Sequence, residues 1–205
     1  MLDRHIHPRV KPALNGLASW LDKPGITPDG LTLTGFAAGV LTLPFLALGW
    51  YPAALVAIVV NRLLDGLDGA LARRRGLTDA GGFLDIALDF LFYALVPFGF
   101  ALAAPAENSL AAAWLLFAFI GTGSSFLAFA ALAAKHNIDN PGYAHKSFYY
   151  IGGLTEGTET IVLFVLCCLF PAHFTLLAWV FGALCWLTTT TRIWSGYLTL
   201  RSLTP

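Results

Sequence analysis

Six stretches of this chain stay apolar for about twenty residues or more, and that feature narrows the choice of fold more than any other. A helix needs roughly 20 mostly apolar residues to cross the hydrocarbon core of a bilayer, where every backbone N–H and C=O must be satisfied within the segment. The stretches lie at about 31–50, 52–74, 80–104, 109–134, 149–170 and 172–199. Only 12% of the residues are charged, about half the share of an ordinary soluble domain. The pattern predicts an all-α membrane protein with six transmembrane helices. Lys+Arg and Asp+Glu number 12 each, so the net charge offers no footprint for nucleic acid. Cys167, Cys168 and Cys185 sit inside apolar runs, which excludes a disulfide framework or a zinc cage.

Residues 1–27 carry Asp3, Arg4, Arg9, Lys11, Asp22 and Lys23 and lack the apolar core of a secretory signal. Leu14, Leu17, Ala18 and Leu21 recur at helical spacing beside Trp20. Residues of about 10–22 are therefore expected to form an N-terminal amphipathic helix lying in the membrane interface, ended by Lys23-Pro24-Gly25. The chain divides into this juxtamembrane segment, 1–27, and a membrane domain, 28–205. All 12 Lys and Arg residues fall on one side of a six-span arrangement, and the opposite loops hold none. The positive-inside rule then places both termini in the cytoplasm, which suits a bacterial inner membrane.

Asp65 and Asp68 lie on the second expected span, Asp85 and Asp89 on the third. Carboxylates at membrane depth cost several kcal/mol unless paired or solvated and by default mark a functional site. The i,i+3 and i,i+4 spacings put each pair on one helix face, and a short connection makes the helices antiparallel neighbours. Four such charges cannot remain ionised together without cations. Oxygen ligands with no nearby His or Cys favour Mg²⁺ or Mn²⁺. A structural ion-pair belt with Arg62, Arg73, Arg74 and Arg75 is the plainer alternative, but it does not require that spacing. Gly66 and Gly69 suit either close approach of a ligand or close helix packing.

These residues carry a resemblance. Asp65-Gly66-Leu67-Asp68-Gly69-Ala70-Leu71-Ala72-Arg73, followed by Gly81-Gly82-Phe83-Leu84-Asp85-Ile86-Ala87-Leu88-Asp89, resembles the signature of the CDP-alcohol phosphatidyltransferase family, D-x2-D-G-x2-A-R then G-x3-D-x3-D. It is similar to the bacterial inner-membrane type that includes phosphatidylglycerophosphate and phosphatidylinositol-phosphate synthases. The spacer from Arg73 to Gly81 holds seven residues, one short of the family's usual length, and the deficit falls in the turn between helices. Pro28-Asp29-Gly30-Leu31-Thr32 resembles the family's P-N-x-x-T entry to the first span, with Asp where Asn is common.

The resemblance implies a metal-dependent transfer of a phosphatidyl group from a CDP-linked lipid, CDP-diacylglycerol, to the hydroxyl of a small polar alcohol, with release of CMP. Asp65, Asp68, Asp85 and Asp89 would hold two Mg²⁺ or Mn²⁺ ions, and Asp89 would also act as general base. Asp29, Thr32, Gly69 and Arg73 would contact the CDP moiety. A homodimer is implied in the same way. The same site would serve the alternative in which a CDP-alcohol of the choline or ethanolamine type donates its head group to diacylglycerol.

The acceptor side rests on the residues themselves. Lys146, in the longest cytoplasmic connection, and Arg192, on the sixth span, suit a phosphate. Glu156 and Glu159, expected on one face of the fifth span, suit hydroxyls or an amine, or else a helix–helix hydrogen bond. Arg192 has the alternative of snorkelling to the surface. A divalent-cation transporter is poorly supported, because Ala53–Val60 carries no ionisable residue and Phe90–Ala104 only Tyr93.

Overall fold

Thr27 and Thr78 each open a helix by the same device. The Thr27 hydroxyl accepts the Gly30 N–H at 3.0 Å and the Thr78 hydroxyl accepts the Gly81 N–H at 3.1 Å, satisfying donors that a helix start leaves free. In the computed structural model, which describes residues 3–136, 138 and 153–202, the elements among the described residues are all helical. They are α1 (Asp3–Leu21), α2 (Pro28–Val40), α3 (Thr42–Ala47), α4 (Tyr51–Arg75), α5 (Asp79–Ala103), α6 (Pro105–Lys135), α7 (Gly157–Leu169), a 3₁₀ turn (Pro171–His173) and α8 (Phe174–Arg201).

The first expected span, 31–50, is broken into α2 and α3. Pro44 has no N–H to give the carbonyl four residues back and its ring crowds that carbonyl. Leu41 accordingly bonds to the Ala38 carbonyl in a tighter turn, at 3.2 Å. Pro105 acts on the residue before it, holding Ala104 at φ −146°, ψ 78°, so α5 and α6 meet at a corner. Gly76, at φ +106°, ends α4 in a conformation that side chains disfavour.

Among the described residues, four segments are each long and apolar enough to cross a bilayer: Pro28–Ala47, Asp79–Ala103, Pro105–Lys135 and Pro171–Arg201. The α4 helix equals α5 in length at 25 residues, but its second half is charged. Helix α7 has 13 residues. Residues 139–152, which include Lys146 and the start of the expected fifth span, lie outside the described residues.

Helix directions follow from which residues meet. On α2, Gly35 faces Leu64 and Gly39 faces Asn61, so α4 runs antiparallel to α2. Asp29 lies beside Gly81, Gly39 beside Phe92, and Leu46 beside Gly99, so α5 runs parallel to α2 and α3. Thr175 donates to Asn108 at 3.2 Å, Trp114 donates to the Trp179 carbonyl at 3.2 Å, and Arg192 donates to the Thr122 carbonyl at 3.3 Å. The α6 and α8 helices are therefore parallel. Asn108 also donates to the Phe100 carbonyl at 2.9 Å, closing the corner at the end of α5.

The core gathers at that far end and in the middle, around Ile58, Phe92, Phe100, Leu115, Phe164 and Phe174. Phe100 and Phe174 stack with centroids 4.4 Å apart. Apolar packing thus uses the first half of α4 and the second half of α5. Their charged halves are left together at the opposite end, where α2 and α5 begin and α4 finishes. There α1 lies against α4, its Leu14 side chain on Gly66. It starts earlier than the expected 10–22, and leaves Leu17 and Trp20 exposed.

Candidate active site

Three helices supply the carboxylate cleft. Thr32, Gly35 and Phe36 come from α2, Asn61, Arg62, Asp65 and Asp68 from α4, and Asp85, Leu88 and Asp89 from α5. One oxygen each from Asp65, Asp68 and Asp85 lies within 4.8 Å of the others. Asp68 is 4% exposed, and its Oδ2 has no hydrogen-bond partner among the described residues. A buried carboxylate oxygen left unpaired is costly. A hard divalent cation is the ligand that three converging carboxylate oxygens fit.

Asp89 stands apart from that trio. Its Oδ1 accepts from Arg62 Nη2 at 2.7 Å, and Arg62 Nη1 lies 3.5 Å from Asp65 Oδ2. Arg62 was anticipated only as a member of a structural belt, whereas here it is part of the site. Its Nε donates to Asn61 Oδ1 at 2.7 Å, and its guanidinium lies 4.8 Å from the centre of the Phe92 ring. Asn61 in turn donates to the Gly35 carbonyl at 2.9 Å. The sequence did carry a signal for that crossing in the small-xxx-small pair Gly35 and Gly39, the pattern that lets membrane helices approach closely. Of the arginines proposed for a belt, Arg74 and Arg75 pair instead with Asp22, just past the end of α1, at 3.4 Å and 2.7 Å.

The residues expected at the CDP end come from the start of α2 and the last turns of α4. Thr32 lines the cleft, and Asp29 Oδ1 lies 3.1 Å from where a β-carbon on Gly81 would stand. The Arg73 guanidinium folds over Gly69, 3.3 Å from the corresponding point there. Gly69 thus leaves room for Arg73, while Gly66 receives Leu14 and is a packing glycine.

The acceptor candidates are placed differently from expectation. Helix α7 begins at Gly157, so Glu156 caps it rather than lying within a span. Glu156 accepts the Glu159 backbone N–H, and Glu159 accepts the Glu156 N–H at 3.1 Å, a reciprocal capping box. The pair is thereby a capping device at the start of α7. Gly157 lies 3.5 Å, at its β-position, from the Tyr93 hydroxyl, and Tyr93 flanks Arg62. Arg192 is 7% exposed and packs against Phe126 and Gly153, so it does not snorkel to the surface. Lys146 is outside the described residues.

The model of one protein family, CDP-alcohol phosphatidyltransferase, matches residues 25–194. The chain belongs to that family. The cleft of this CDP-alcohol phosphatidyltransferase is built from the residues that carry the family resemblance. The chain is 82% identical over 203 residues to the inner membrane protein YnjF of Escherichia coli, covering 99% of this chain and 98% of that one. It is 41% identical over 98 residues to the archaetidylinositol phosphate synthase of Pyrococcus horikoshii, spanning 47% of this chain and 52% of that protein. Among solved structures it resembles the phosphatidylinositol phosphate synthase PgsA1 of Mycobacterium tuberculosis at 22% identity. The complex with CDP-DAG gives a TM-score of 0.67 over 90% of this chain and 93% of that one. The complex with manganese and citrate gives 0.72 over 90% and 88%. At that identity the likeness concerns the fold.

Proposed function

We propose that this phosphatidyltransferase moves a phosphatidyl group from CDP-diacylglycerol to the hydroxyl of a small polar alcohol and releases CMP. The observation that carries the reading is the convergence of Asp65, Asp68 and Asp85 around an unpaired, buried Asp68 oxygen. These three carboxylates would hold the divalent ion. Bound there, Mg²⁺ or Mn²⁺ supplies neutralisation of the pyrophosphate oxygens and of the leaving group. Asp89 accepts the proton of the acceptor hydroxyl as its oxygen forms a bond to the lipid-side phosphorus. The bond from that phosphorus to the bridging oxygen of CMP breaks, and Arg73 stabilises the charge that develops on CMP. Thr32, Asp29 and Gly69 accommodate the nucleotide.

The acceptor enters beside the start of α7. The contact of Gly157 with Tyr93, next to Arg62, supports that side. Glu156, Glu159 and Arg192 are proposed to contact it, with Lys146 from the connection before α7. The six-span topology, the cytoplasmic termini and active site, the inner-membrane location and a homodimer complete the proposal. The one-sided distribution of Lys and Arg supports the orientation, and the relative named an inner membrane protein supports the location.

The test is CMP release by purified protein in nanodiscs with CDP-diacylglycerol, Mg²⁺ or Mn²⁺, and a panel of acceptors: glycerol 3-phosphate, inositol phosphate, inositol, serine and choline. Release that requires metal, one acceptor and Asp89 is expected. Release that appears only with CDP-choline or CDP-ethanolamine and diacylglycerol would reverse donor and acceptor. Full release by Asp89→Asn would remove the base assignment.

A further inference from the structure

We propose that Arg62 is a built-in counter-cation standing where a second divalent ion would otherwise sit, so that the site takes one ion, on Asp65, Asp68 and Asp85, and none on Asp89. The inference rests on the metal site of the function proposed above but not on its reaction. Three observations lead to it.

The first is the way Asp89 is engaged. Its Oδ1 is 2.7 Å from Arg62 Nη2, a charge-assisted hydrogen bond of the short kind. The carboxylate trio whose oxygens lie within 4.8 Å of one another leaves Asp89 out.

The second is that Arg62 is held on several sides. Asn61 Oδ1 takes its Nε at 2.7 Å, and Asn61 is itself tied to α2 through the Gly35 carbonyl. Phe92 and Tyr93 lie at 4.8 Å and 5.6 Å from the guanidinium carbon, and the side chain is 16% exposed. Swinging aside to admit an ion would break the Asn61 and Asp89 hydrogen bonds and both ring contacts.

The third is charge. Arg62 is the one cation among the described residues lining the cleft. One divalent ion beside it leaves the four-carboxylate cluster with a single net negative charge. A second would turn the cluster positive against a guanidinium that does not lose its proton.

The experiment counts Mn²⁺ bound to the purified full-length chain in nanodiscs of phosphatidylcholine, by the loss of the free-ion electron paramagnetic resonance signal, with no substrate present. Wild type, Arg62→Lys and Asp89→Asn are each expected to bind one equivalent, because the cation is kept in the second and the ion never used Asp89 in the third. Arg62→Gln is expected to bind two. Two equivalents on wild type, or loss of an equivalent in Asp89→Asn, would overturn the proposal. So would a folded Arg62→Gln that stays at one. Should Arg62→Gln fail to fold, the other three proteins still decide the matter. The count and CMP release are separate readouts. Silence in the release assay with one bound Mn²⁺ would retire the transferase reading alone, and release from a protein holding two would retire this inference alone.

Discussion

Asn61 of α4 joins the helix crossing to the charged site with one side chain. Its amide nitrogen donates to the Gly35 carbonyl at 2.9 Å while its oxygen accepts from Arg62 at 2.7 Å. Asn61 is 3% exposed, so its partners have no water to turn to. Asn61→Leu is expected to destabilise the protein by about 1–3 kcal/mol, the cost of leaving such groups unpaired. A thermal or denaturant unfolding series in detergent reads this out, and an unchanged midpoint would show the bonds to be idle.

Two glycines separate close packing from tolerant packing. A β-carbon on Gly39 would lie 2.8 Å from both Asn61 Nδ2 and Phe92 Cδ2, inside the bundle. One on Gly66 would lie 3.0 Å from the methyl end of Leu14 on the more exposed α1. Gly39→Ala should cost about 1–3 kcal/mol, as overpacking of a buried contact does. Gly66→Ala should cost clearly less, because Leu14 can rotate. Equal losses in the two unfolding midpoints would contradict the difference.

Asp68 is buried with an unpaired oxygen. Asp68→Asn removes a buried charge, so the metal-free variant should be at least as stable as metal-free wild type. Metal should also cease to stabilise it. At 100-fold excess over its dissociation constant, Mn²⁺ adds about 2.7 kcal/mol to a protein that binds it only when folded. Chelation should therefore lower the unfolding temperature of wild type and leave Asp68→Asn where it was.

The end of α1 is pinned by ionisation. The Arg75 guanidinium beside Asp22 holds that carboxyl below its ordinary value, with Arg74 adding to the effect. Arg75 also donates to the Lys23 and Ile26 carbonyls, tying down the connection into α2. Because the folded value is depressed, the stabilisation is complete above the unfolded carboxyl value of about 3.9 and is lost as pH falls through the lower folded one. Asp22→Asn should speed hydrogen exchange in Lys23–Ile26 at neutral pH. In acid below that depressed folded value the variant and wild type should converge. A gap that persists in acid would mean that the carboxylate charge is not what holds the connection.

At the start of α7, Gln can make the same capping hydrogen bond as Glu159. Glu159→Gln should leave stability unchanged, whereas Glu159→Ala should lose about 0.5–2 kcal/mol. A destabilised Glu159→Gln would show that charge, not the cap, is what the position supplies.

Much of this molecule could be read along the chain. The lengths of the apolar runs, the pairing of Asp65 with Asp68 and of Asp85 with Asp89 on single helix faces, and the turn that brings the two helices together all depend on neighbours within a few residues. Pro44 divided the first expected span into two helices, because its missing N–H breaks the hydrogen-bond ladder there. The two glutamates were harder, since i,i+3 spacing describes a shared helix face and a capping box equally well. Only the position of the helix start, at Gly157, tells them apart.

The sequence by itself determined a helical membrane chain of the CDP-alcohol phosphatidyltransferase kind and the carboxylates of its site. Backbone hydrogen bonding in lipid and the helical period are local properties, legible one segment at a time. Only the tertiary structure decided that Arg62 pairs with Asp89, that Asn61 reaches Gly35, and that Arg74 and Arg75 turn away to Asp22. The partner of a charge is set by which helices cross and at what height, and that height follows from side chains packing far apart in sequence, Gly39 against Phe92 and Leu46 against Gly99.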